Sequence, residues 1–186
     1  MKLYLIIISA LLIPIFTTLN GCLFTEKNAM FIANEESYTD NLLEDVIYAI
    51  ENRDTEKMKM TFADNTIEEI VDFDKSAEEL FEYYQGNMKS YTIRGGPSVE
   101  SSYNGEGDNR TWKSYEVTYD IYTDKDNYRI YIYGCMMDDK YSDNIGIRSL
   151  YIIKAADDID LEWSYWGDWK NTPGINIGIK NVIPEK

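Results

Sequence analysis

Tyrosine is the residue type with most chemistry to offer in this chain. There are 16 tyrosines among 186 residues, and no histidine at all. The missing imidazole excludes Ser-His-Asp and Cys-His nucleophilic catalysis and histidine-based zinc sites. No P-loop, dinucleotide-binding fingerprint or Ser-x-x-Lys pair occurs. What remains is carboxylate, phenol and indole chemistry. Tyr115, Tyr119, Tyr128, Tyr131, Tyr133 and Tyr151 fall in alternating, strand-like runs. An apolar ring with a polar tip suits small-ligand recognition, so Tyr115, Tyr119, Tyr131 and Tyr151 are expected to line a pocket. The competing reading is packing, because these tyrosines occupy both strand parities and some must face away from any single cavity.

Asp120 follows Tyr119 on the opposite strand face. A buried carboxylate there would be a candidate general base, since desolvation raises its pKa; a solvent-exposed aspartate is the simpler reading. Asp138 with Asp139, and Asp157, Asp158, Asp160 and Glu162, form acidic clusters. Calcium loops need alternating oxygen ligands, a central glycine and a terminal glutamate. The run Asn104, Glu106, Asp108 begins that way, but Asn109 takes the glycine place and Tyr115 the glutamate place. No catalytic residue, metal ligand or cofactor is therefore assigned. Trp163, Trp166 and Trp169 crowd together with Tyr165. They form either an interaction surface for a partner or a sugar face, or a staple holding the C-terminus across the open end of a sheet.

The elements that must position these residues are readable from periodicity. Leu42, Leu43, Val46, Ile47 and Ile50 recur at helical spacing, with Asn41 and Glu44 placed for a capping box. Asp54 restarts the chain as an N-cap, with Met58 and Phe62 inward. A third helical region spans residues 66–85, broken and recapped near Asp72 and Asp74, with Ala77, Leu80, Phe81 and Tyr84 as its stripe and Gly86 as its C-cap. The period then changes to two. Strands are expected over Met88–Arg94, Trp112–Thr123, Tyr128–Met137 and Ile145–Ile153, with a hairpin turn at Asp124–Asn127. Gly95-Gly96-Pro97 and residues 101–109 carry loop chemistry. Helices followed by a meander predict an α+β fold, N-terminal helices packed on a strongly curved antiparallel sheet.

The N-terminus has its own pattern. Lys2, an apolar run over residues 3–16, then Leu19-Asn20-Gly21-Cys22 make a secretory signal whose last four residues resemble the lipobox of bacterial lipoproteins. That resemblance implies a lipid on Cys22, a removed segment 1–21, a polar tether over 22–37 and one domain over 38–186. It places the chain on the outer face of the bacterial cytoplasmic membrane, with the membrane itself as a partner. Cys135 then has no cysteine to pair with, and its apolar setting reads as a small core residue. The formal net charge of −15 repels nucleic acid, which is excluded as a partner.

The stretch "VIYAIENRDTEKMKMTFADN" resembles the opening of the nuclear transport factor two-like superfamily, the cystatin-like cones. The segments "YYQGNMKSY", "DIYTDKDNYRIYI" and "GDWKNTPGI" resemble a family of uncharacterised Gram-positive lipoproteins, a domain of unknown function. The resemblance covers residues 38–175 and implies helices packed into a bent sheet, often around a pocket, with no established activity. The expected function is non-catalytic binding of a small molecule or an envelope protein. Two alternatives stand beside it: an isomerase or dehydratase using a carboxylate and a tyrosine, and a toxin-immunity or interaction protein with an acidic face.

Overall fold

A computed structural model describes residues 35–103, 110–158 and 164–180. Cys22 and most of the expected tether lie outside the described residues. So do Trp163, Asp160, Glu162 and the run Asn104–Asn109.

Among the described residues four helices come first. The helix α1 (Glu35–Asn52) buries Thr39, Leu43, Val46, Ile47 and Ile50 on one stripe. It begins before the expected Asn41 cap, so that capping box is interior helix and Glu35–Ser37 form a first turn rather than tether. The reason is that the apolar stripe extends through Tyr38, whose ring meets Tyr115 edge-on at 5.4 Å, while Glu35 and Glu36 suit the positive end of the helix dipole. Asp54 caps α2 (Thr55–Thr61) by accepting from the Lys57 N–H at 2.9 Å. The expected third helix is two: α3 (Asp64–Glu69) and α4 (Phe73–Tyr83), the latter capped by Asp72, which accepts from the Lys75 N–H at 3.1 Å.

Five strands follow: β1 (Met88–Tyr103), β2 (Arg110–Thr123), β3 (Asn127–Asp138), β4 (Gly146–Lys154) and β5 (Gly174–Ile177), side by side in that order. The first four are an antiparallel meander, but β5 pairs with β4 in parallel, so the sheet is mixed. β1 and β5 are its two edges, so the sheet is open rather than closed. The Gly95-Gly96-Pro97 run is not a loop. It is a bulge inside β1, where Gly96 adopts φ +84° and any Cβ would stand 2.5 Å from the Glu116 carbonyl oxygen.

One sheet face meets the helices. Tyr115, Val117, Tyr119 and Ile121 of β2, Tyr128, Ile130 and Ile132 of β3, and Leu150 and Ile152 of β4 join Leu43, Val46, Met58, Phe62 and Leu80 in the main core. The reverse face is also covered. Tyr131 of β3 and Tyr151 and Ile153 of β4 pack with Tyr165 in a second cluster, flanked by Tyr133 and Trp166. Successive residues of β3 and β4 are consequently buried on both sides, which a period-two reading cannot assign to one core.

Candidate functional site

The four tyrosines expected to share a pocket divide between the two faces. Tyr115 and Tyr119 are fully enclosed under the helices; the Tyr119 hydroxyl donates to Asp40 Oδ1 at 3.0 Å. Burial pushes both phenol pKa values well up, so each stays neutral. Large aromatic side chains fill the helix side of the sheet, and Tyr115 and Tyr119 serve there as core. Tyr131 and Tyr151 lie on the reverse face, so the four do not line one cavity.

On that reverse face two expected groups meet. A cup of about 210 Å³ is lined by Glu116, Tyr131, Trp166, Trp169 and Asn171. Tyr131 and Trp166 stand edge to face at 5.5 Å, and Trp166 and Trp169 are tilted by 33° at 6.1 Å. The Tyr131 hydroxyl reaches Glu116 Oε2 at 3.2 Å and Asn171 Oδ1 at 3.1 Å. One phenolic proton therefore faces two acceptors. Among the described residues Glu116 is the only charged one of the lining, and none of the described ion pairs involves it. Desolvation raises its pKa, Tyr131's hydrogen bond works against that, and Glu100 adds to the rise. Trp169 is 49% exposed, whereas Tyr131 across the cup is buried.

A braced loop holds the cup. Trp169 and Asn171 adopt φ +61° and +53°, a left-handed backbone that asparagine tolerates and tryptophan rarely enters. The bracing comes from Asp168. Its carboxylate accepts from the Tyr151 hydroxyl (2.6 Å), the Lys170 N–H (2.8 Å) and the Thr172 hydroxyl (2.5 Å). Gly167, at φ +59°, lies against the Tyr151 ring, where a Cβ would come within 2.6 Å of its carbons. Burial would raise the Asp168 pKa, but hydrogen bonds from Thr172, Tyr151 and Lys170 outweigh it and hold the carboxyl below its ordinary range. Thr118 donates to the Tyr165 carbonyl at 2.5 Å, fixing the start of the loop on β2.

Asp120 is neither an open surface group nor a base awaiting substrate. Arg129 Nε contacts its Oδ1 at 2.9 Å, and Arg94 its Oδ2 at 3.4 Å. Arg129 also pairs with the fully buried Asp158 carboxylate. These charges form a structural lattice beside the cup. Asp138 at the end of β3 is likewise engaged: it accepts from the Lys140 and Tyr141 N–H groups and from the Asn144 amide. Cys135 is a buried free thiol that donates to the Met137 carbonyl at 3.0 Å. Burial pushes its pKa up, which opposes nucleophilic use. It borders a second, smaller cavity of about 110 Å³ with Asn65, Ser114 and Arg148.

Sequence reasoning missed Glu116, Asp168 and Asn171. For Glu116 a signal existed. The Asp124–Asn127 hairpin sets Thr118 opposite Tyr131 and Glu116 opposite Tyr133, so Glu116 and Tyr131 are diagonal neighbours on one face. For Asn171 none existed, because its position depends on the left-handed backbone of the loop.

The fold and the cup define an α+β domain with helices on one face of its sheet and an aromatic loop on the other. The chain belongs to the family described as Domain of unknown function (DUF5104), which it matches over residues 45–155. No curated protein matches it.

Proposed function

We propose that this protein is a non-catalytic binding domain, held at the outer face of the bacterial cytoplasmic membrane by a lipid on Cys22, that captures a small molecule in the reverse-face cup. The observation that carries the reading is the convergence of Tyr131, Trp166 and Trp169 around Glu116 and Asn171. A concave aromatic wall with a few polar groups is the usual make-up of a small-molecule site. The Leu19-Asn20-Gly21-Cys22 motif supports the anchor. Kinship with Gram-positive lipoproteins and with the cystatin-like cones belongs to the same proposal, supported by the order of helices before a meander.

The test is a fragment screen on the full chain, read by thermal shift, with Trp169→Ala as the paired variant. A ligand that binds only the folded state raises Tm by mass action. The reading requires fragments that stabilise the wild type and lose that effect in the variant. Fragments that stabilise both equally, or none at all, would sink it.

A second reading has one specific observation behind it. Glu116 and Tyr131 are a carboxylate and a phenol 3.2 Å apart in a cup, the pair an isomerase would need. Against it, the phenol proton is already engaged by Glu116 and Asn171 rather than offered to the cup. Enolisable fragments from the same screen, followed for proton exchange into deuterated water, separate the two readings.

A further inference from the structure

We infer that the cup takes an alkylated ammonium cation, a methylated or quaternary amine, held against the Trp166 and Trp169 rings with Glu116 as its counter-charge. This rests on the binding reading above and names the ligand class of that same site. Three features of the lining converge on it. First, three aromatic rings line one volume, and aromatic faces attract cations, tryptophan most strongly. Second, among the described residues the single charged one in the lining is a carboxylate, and the lining holds no lysine or arginine. An anionic ligand would meet Glu116 unscreened, whereas a cation would relieve its desolvation. Third, the cup of about 210 Å³ is smaller than the roughly 300–1,000 Å³ of sites that enclose drug-sized ligands. It therefore fits a compact head group.

The strained backbone belongs to the same picture. A tryptophan at φ +61° with half its surface exposed is held open by Asp168 and Tyr151 rather than folded down into the second cluster. Strain of this kind persists where the surroundings enforce it, and it clusters at ligand clamps. The net charge of −15 adds long-range attraction for a cation.

The experiment titrates the full chain with choline, with tetramethylammonium, with the neutral carbon isostere of choline, and with methyl glucoside, following tryptophan fluorescence and calorimetric heat. Choline and tetramethylammonium are expected to bind and the neutral isostere to bind more weakly. Trp169→Ala should lose on the order of fivefold to thirtyfold in affinity, and Trp169→Phe should recover part of it. Glu116→Gln, similar in shape, should weaken the cations and leave the neutral isostere unchanged. The cation assignment is overturned if the isostere binds as tightly as choline, or if methyl glucoside binds and choline does not. It also falls if choline fails while other fragments protect the cup; in that case the binding reading survives. Failure of every fragment as well as choline removes both.

Discussion

The Tyr151 hydroxyl lies 2.6 Å from Asp168 Oδ1 and 2.6 Å from the Thr172 backbone nitrogen. One phenol on β4 therefore holds both arms of the loop that presents Trp169. Its proton goes to the carboxylate, and its oxygen accepts from the amide. The chemical consequence is selective. Fixing a tryptophan in a left-handed backbone needs local hydrogen bonds, because hydrophobic burial cannot hold an exposed ring.

Tyr151→Phe removes both bonds and keeps the ring. A hydrogen bond to a charged group contributes about 1.5–3 kcal/mol, and the abandoned amide adds a desolvation cost where water cannot reach it. Urea unfolding should show a loss of about that size, with an unchanged m-value. Ligand affinity in the cup should fall with it. A variant as stable as the wild type would mean that the bracing is not energetically coupled to the domain.

Asp168 gives a pH signature with a definite sign. Its folded-state pKa is lowered, so its contribution is present above the unfolded value of about 3.9 and is lost as pH falls through the folded value. Asp168→Asn removes that dependence. Wild type should therefore exceed the variant in stability at neutral pH, and the gap should narrow as the solution is acidified toward pH about 3. Paired denaturation curves across that window check it. A gap that widens on acidification would reverse the assigned sign.

Arg129 is 7% exposed and faces both Asp120 and Asp158. Arg129→Met fills similar space without charge and leaves two carboxylates facing an uncharged neighbour. Breaking a buried pair from one side typically costs about 3–5 kcal/mol. Thermal unfolding should register a fall of that order, larger than for Arg53→Met, whose partner Glu82 is at the surface.

Tyr119→Phe separates core from site. It deletes the hydrogen bond to the Asp40 carboxylate and should lower stability by about 1.5–3 kcal/mol while leaving cup affinity unchanged. Tyr131→Phe should alter affinity, since its hydroxyl contacts Glu116 and Asn171. Equal effects of the two variants on ligand binding would return the site to the helix side of the sheet.

How much of this was legible in the sequence differs by element. The caps at Asp54 and Asp72, the stripe Ala77–Tyr84 and the β2–β3 hairpin were readable, because each depends on contacts a few residues apart. The start of α1 was misplaced because a buried threonine, Thr39, interrupts the apolar stripe. The strand β5 was missed. It is four residues long and owes its place to parallel pairing with β4, a non-local contact without a local pattern. The tyrosines were recognised as chemically useful, but their division between faces depended on both sides of the sheet being covered. Residue type pointed to Tyr131, Trp166 and Trp169 separately. Only the loop geometry brings them to one cup.

The family match ends at residue 155, while Trp166, Asp168, Trp169 and Asn171 lie beyond it. Glu116 and Tyr131 lie within it. The site is thus assembled from two pieces of chain, a shared sheet that supplies a carboxylate and a phenol, and a downstream loop that supplies the indoles. Recognition and folding therefore share the loop, because Tyr165 belongs to the second core cluster and Asp168 braces Tyr151. A change there that alters what the cup holds is expected to move the stability of the domain as well.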